Sequence, residues 1–73
     1  MTPAELRYWR TEMGLTQKDA AAQLGVKPIT YKCWELGHNP VMNTAALLAE
    51  LLLKMARARR RIEAKRLRSA VGS

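Results

Sequence analysis

Residues 14–37 read GLTQKDAAAQLGVKPITYKCWELG. Local chemistry divides this stretch into two short helices. Thr16 can cap the first, with Asp19 as its acidic partner three residues on. Ala20, Ala21 and Leu24 form a buried face, and Gly25 ends the helix after about eight or nine residues, at a position suited to positive φ. The consecutive alanines Ala20 to Ala22 let another helix approach closely. Pro28 suits the first turn of the next helix, and the apolar Val26 before it can enter the core. Tyr31 and Trp34 lie on one face of that helix, and Ile29, Lys32 and Cys33 on the other. Gly37-His38-Asn39-Pro40 is a loop. Only Gly25-Val26-Lys27 separates the two helices, so they cross at a tight turn. Such a crossing needs a small residue where the helices meet, a residue tolerant of positive φ, and apolar inner faces. Ala21 meets the first need, Gly25 the second, and Ala20, Leu24, Val26, Tyr31 and Trp34 the third. These constraints at fixed spacing define a helix-turn-helix.

Working outward, Thr2-Pro3-Ala4-Glu5 opens an earlier helix: Thr2 can cap, Pro3 suits the first helical position, and Glu5 completes a capping box. Leu6, Trp9 and Met13 form one buried stripe, and Gly14 ends it. On the far side, Asn43 or Thr44 can cap a last helix, and no Gly or Pro follows Ala45 until Gly72. The reading is one helix of up to about 24 residues, ending in a frayed Val71-Gly72-Ser73. Its first half, with Leu47, Leu48, Leu51, Leu52 and Met55, is expected to pack on the small domain. Its second half, Arg57 to Arg68, is mainly basic and extends past any core this chain can build. No strand signal appears.

The chain has 73 residues, 13 Lys+Arg against 6 Asp+Glu, and a net charge of +7. A chain this short holds one small core, which argues against most enzymes. The charge suggests a polyanionic partner. It is unevenly placed: residues 1–53 carry five basic and five acidic residues, whereas residues 54–73 carry eight basic residues and only Glu63. One cysteine, Cys33, allows no internal disulfide and fits a reducing compartment. No apolar run approaches a membrane span, and the start lacks the features of a signal peptide. The expected location is cytoplasmic, or nuclear if the source has a nucleus.

The run Arg10-x3-Gly14-Leu15-Thr16-Gln17-x3-Ala21-x2-Leu24-Gly25-Val26, followed by Thr30-Tyr31-x2-Trp34-Glu35-x-Gly37-x2-Pro40, resembles the Cro/CI (XRE) family of prokaryotic and phage DNA-binding repressors. The resemblance covers about residues 4–55. It implies an all-α fold: a compact, lambda-repressor-like bundle of four or five helices, with a helix-turn-helix domain over 1–55. The charge distribution adds a basic C-terminal helical extension over 56–73. The resemblance also implies that helix 28–35 enters the major groove, usually as one half of a homodimer on a pseudo-palindromic operator. Thr16, Gln17 and Lys18 then open the second helix, where side chains and backbone N–H groups reach phosphate. Lys27, Pro28, Ile29, Thr30, Lys32 and Cys33 form the front of the recognition helix, and His38 and Asn39 match a loop that contacts phosphate. Arg10 and Glu35 match an interhelical ion pair that orients the arginine near the DNA backbone. The chain departs from the family pattern at Lys27, which is a weak cap, and at Tyr31, where the family has Val or Ile. Its recognition face is also poor in hydrogen-bonding side chains. Ile29, Pro28 and Cys33 favour apolar contact such as thymine methyls, and Lys32 and Lys27 suit guanine acceptors or phosphate.

Blander readings stand beside these. Trp9, Trp34 and Tyr31 read as core before base-stacking platforms. Cys33 reads as an incidental thiol, and with His38 it lacks the further ligands of a metal site. No nucleophile–base pair recurs, so neither an enzyme nor a cofactor is expected. The basic run of Arg57, Arg59, Arg60, Arg61, Lys65, Arg66 and Arg68 has three uses: phosphate contact, a dimer seam through Leu48, Leu51, Met55, Ala58 and Ile62, or a solvated or partner-binding helix. The reading is therefore a repressor-like transcriptional regulator of double-stranded DNA. No effector domain is expected, so control falls to concentration, operator competition or a partner protein. The competing class is a scaffold, antitoxin-like or partner- or membrane-surface-binding, acting through the basic helix. A lack of aromatic residues after Trp34 weakens the membrane version.

Overall fold

A computed structural model describes the backbone of residues 1–71 and side chains through Leu67. Four helices follow in order: α1 (Pro3–Met13), α2 (Gln17–Leu24), α3 (Pro28–Leu36) and α4 (Asn43–Val71). The first three start and stop where local chemistry places them. The Thr2 hydroxyl accepts from the Glu5 N–H at 3.1 Å, and the Glu5 carboxylate accepts from the Thr2 N–H at 3.0 Å. Thr16 caps α2 by accepting from the Asp19 N–H at 3.1 Å. Lys27 precedes α3 without a side-chain cap, as its chemistry requires, and Pro28 needs no N–H partner there.

Each of these helices closes on a glycine, with the N–H of the next residue reaching back five positions: Leu15 to Arg10, Val26 to Ala21 and His38 to Cys33, all near 3.0 Å. Gly25 decides the turn between α2 and α3. Its φ of +71° is left-handed, and a Cβ there would meet nothing within 4 Å. The requirement for glycine is therefore conformational rather than one of space.

α2 packs on α3, and α1 packs on both α3 and α4. Leu6, Trp9, Ala20, Ala21, Leu24, Tyr31, Trp34, Ala45 and Ala49 form the core. Tyr31 is fully buried, so the larger residue enlarges the core instead of reaching the surface, and its ring sits 6.4 Å from that of Trp34.

α4 corrects the sequence reading in two respects. It spans 29 residues and begins at Asn43, so neither Asn43 nor Thr44 stands before the helix. The Ala46 N–H already bonds the Met42 carbonyl at 2.9 Å. Val71 is part of the helix, whereas Gly72 and Ser73 lie outside the described residues. The second correction concerns its inner face. Ala45 and Ala49 are buried and Leu52 and Leu53 half-buried, while Leu47, Leu48, Leu51 and Met55 face solvent. Two tryptophans and a tyrosine already fill the centre of the bundle. α4 therefore comes closest to the bundle at the small Ala45 and Ala49, and Leu52 and Leu53 pack at the margin of the core.

Candidate nucleic-acid interface

α3 buries Tyr31, Trp34 and Glu35 and turns its opposite stripe outward. Ile29 is 64% exposed, Lys27, Pro28 and Lys32 are exposed, and Thr30 and Cys33 are half-buried. Leu36, also exposed, continues the stripe at Ile29, Lys32 and Cys33 by helical spacing. The sequence reading ended the recognition helix at residue 35 and so left Leu36 out. The stripe offers two ammonium groups and an apolar surface, a combination suited to thymine methyls flanked by phosphate or guanine acceptors.

Behind this stripe lies a buried polar link between the helices. Glu35 is only 6% exposed. Arg10 grips it in a fork, Nε donating to Oε2 at 2.7 Å and Nη2 to Oε1 at 3.2 Å. Gln17 Nε2 donates to the same Oε1 at 3.1 Å. Burial alone pushes the Glu35 carboxyl up, but the hydrogen bonds from Arg10 and Gln17 outweigh it and hold the group below the usual carboxylate range. The bond to Glu35 raises the Arg10 guanidinium in turn. Arg10 Nη1 also donates to the Leu15 carbonyl at 3.4 Å. One carboxylate thus ties α1, α2 and α3 together at the end of the bundle where α2 begins. Arg10 keeps a quarter of its side chain in solvent, so part of the guanidinium still faces outward. Burial pushes the neighbouring Tyr31 phenol well up, and the Glu35 carboxylate adds to that shift.

This link redefines Gln17. Its side chain is directed to Glu35, and the backbone N–H groups in the first turn of α2 have no partner within the helix. Thr16 Oγ1 accepts from Asp19 and keeps its own hydroxyl proton to donate. Lys18, His38 and Asn39 are exposed.

The basic half of α4 is not free along its whole length. Arg57 Nη2 donates to Tyr8 Oη at 3.3 Å. Arg60 Nη2 donates to the Glu12 carbonyl at 2.6 Å, and its Nη1 stands 3.9 Å from the Glu12 carboxylate. Both arginines therefore hold α4 against α1. Arg59, Arg61, Lys65 and Arg66 are exposed, and the Arg68 side chain lies outside the described residues. Among the described residues no group of three His, Cys, Asp or Glu could hold a metal, and no helix is long and apolar enough to cross a membrane. Cys33 is a free thiol.

A helix-turn-helix family model matches residues 6–58. Neither a curated protein nor a solved structure matches the chain. The matched span covers more than half of the chain and includes the whole turn, the outward stripe of α3 and the Arg10–Glu35 pair. The chain belongs to the DNA-binding helix-turn-helix family of Cro/CI (XRE) type.

Proposed function

We propose that this chain is a sequence-specific transcriptional regulator, repressor-like, that places α3 in the major groove of operator DNA. The observation that carries this reading is the outward stripe of Ile29, Lys32 and Cys33, held rigidly from behind by the Arg10–Glu35–Gln17 link. Phosphate contacts from the start of α2, the exposed part of Arg10, and the loop at His38 and Asn39 fix its register. The exposed cations Arg59, Arg61, Lys65 and Arg66 add phosphate contacts that do not depend on sequence. Residues 1–55 choose the site and residues 56–73 strengthen the hold. The chain acts as a homodimer on an inverted repeat, each copy reading a half-site.

Mobility shifts with operator and scrambled duplexes at several salt concentrations test this reading. A complex with one sequence that survives roughly 150 mM salt supports it, because screening removes tail-only binding there. Ile29→Ala with Lys32→Ala should bring operator and scrambled duplex to the same affinity. Equal, fully salt-sensitive binding of both duplexes by the unaltered chain would sink the proposal. The upstream sequence of its own gene is the first operator to try.

A further inference from the structure

The bundle leaves an apolar stripe on the outside of α4. Leu48, Leu51, Met55, Ala58 and Ile62 recur at alternating spacings of three and four. All are exposed, and Leu51, Met55 and Ile62 keep 53%, 50% and 53% of their surface in solvent. Two shallow grooves open beside this seam. Leu24, Val26, Met42 and Leu48 line one, and Met13, Gln23, Leu52 and Met55 line the other. A straight seam with receiving grooves matches a helix, whose anchors recur at the same spacing.

The charges bordering the seam decide what kind of helix. On a helical projection Lys54 and Arg61 border one side, and Arg59 and Arg66 the other. No acidic residue occupies a bordering position, and Glu50 and Glu63 lie farther round the helix. A second copy docked parallel would set Lys54 against Arg59 and Arg61 against Arg66. Docked antiparallel, it would set Lys54 against its own counterpart. Like charges across an interface oppose either arrangement. Duplex DNA would satisfy the cations but has nothing for the leucines.

We propose that this face of α4 docks an amphipathic helix of another protein, apolar along its seam and acidic along both borders. Carboxylates on the incoming helix would pair with Lys54, Arg59, Arg61 and Arg66, and its apolar anchors would enter the two grooves. The site uses α4, Met13 at the end of α1, the edge of α2 and the turn after it, but no part of α3. It shares Arg59, Arg61 and Arg66 with the proposed phosphate contacts, so it is tested with peptide in the absence of DNA.

The probe is a synthetic peptide of about three heptads with Leu and Ile on the seam and Glu on both borders. A twin with Lys on the borders is the control. Anisotropy titrations with the full chain at roughly 150 mM salt give the affinities. The Glu peptide should bind saturably and at least about tenfold tighter than its twin. Leu51→Gln with Met55→Gln should weaken it about tenfold or more, with the helical spectrum unchanged because both side chains are exposed. Arg59→Glu with Arg61→Glu should reverse the preference toward the Lys peptide. Three results would overturn the proposal. The Glu peptide could fail to saturate. Its affinity could be indifferent to the Leu51→Gln, Met55→Gln change, which would reduce the contact to charge alone. The chain by itself could sediment as a dimer that this change dissociates, which would make a second copy the occupant.

Discussion

Replacing Glu35 by Gln removes one charge from the bundle and almost no volume, so it isolates the link that joins the first three helices. The three donors from Arg10 and Gln17 lose the charge of their acceptor, and one of the two oxygens they share is replaced by an amide nitrogen. Breaking a fully buried ion pair by removing one partner costs about 3–5 kcal/mol. Here Arg10 has a quarter of its side chain in water and recovers part of its solvation. The new amide oxygen also keeps one acceptor in place. Both reduce the cost to about 2 kcal/mol. A domain of this size has roughly 4–11 kcal/mol in total, so the loss is a large fraction. It corresponds to roughly a 30-fold shift in the unfolding equilibrium and about 8–16 °C in Tm. Urea unfolding followed by helical circular dichroism measures it, and the midpoint should fall while the slope stays constant. The companion variant is Arg10→Met with Glu35→Leu, which replaces the pair by apolar groups. It should recover most of the stability. It should not recover DNA affinity, because the guanidinium near phosphate is gone. A loss below about 0.5 kcal/mol for Glu35→Gln would refute the view that this link holds the helices in register. Full DNA affinity in the double variant would refute a phosphate role for Arg10.

Further outcomes follow from the same geometry. The folded pKa of Glu35 is depressed, so its stabilising contribution is complete above the ordinary carboxylate value of about 4.3 and is lost as pH falls through the lower folded value. The stability gap between the unaltered chain and Glu35→Gln should therefore be constant near neutrality and narrow in acid, as read by urea midpoints across pH. Gly25→Ala puts a Cβ on a residue at φ +71° and should cost about 1–2 kcal/mol, although the site has room for the methyl group; thermal melting measures this. Changing Arg59, Arg61, Lys65 and Arg66 together to Gln should lower the salt dependence of DNA binding, log affinity against log salt, by up to about 3.6 without altering which duplex is preferred. This substitution is a cleaner test than truncation after Met55, because truncation also removes Arg57 and Arg60 from α1.

What the sequence discloses, and what it conceals, follows from the range of the interactions. Helix ends are local: Thr2, Gly14, Thr16, Gly25 and Pro28 each act within a few residues, and each boundary they imply appears in the structure. The Arg10–Glu35 pair came through the resemblance, since nothing local links residues 25 apart. The hydrogen bond from Gln17 to that pair had no signal at all. The facing of α4 was misread for a different reason. Residues 45–53 include five leucines and three alanines, so the run is apolar nearly all round and periodicity does not select an inner side. The space left by Trp9, Tyr31 and Trp34 makes the selection, and that is a tertiary quantity. The arginines at 57 and 60 look like their neighbours in the sequence. Only the fold sets them apart, because Tyr8 and Glu12 lie where α4 passes.

Seating α4 on alanines has a colloidal consequence. The leucines it turns outward would be sticky on a neutral chain, and a net charge of +7 opposes their non-specific association between molecules. Added salt screens that charge and leaves the leucines untouched. Concentrated stocks of this chain should therefore become turbid as ionic strength rises, the reverse of the salting-in that isoelectric proteins show.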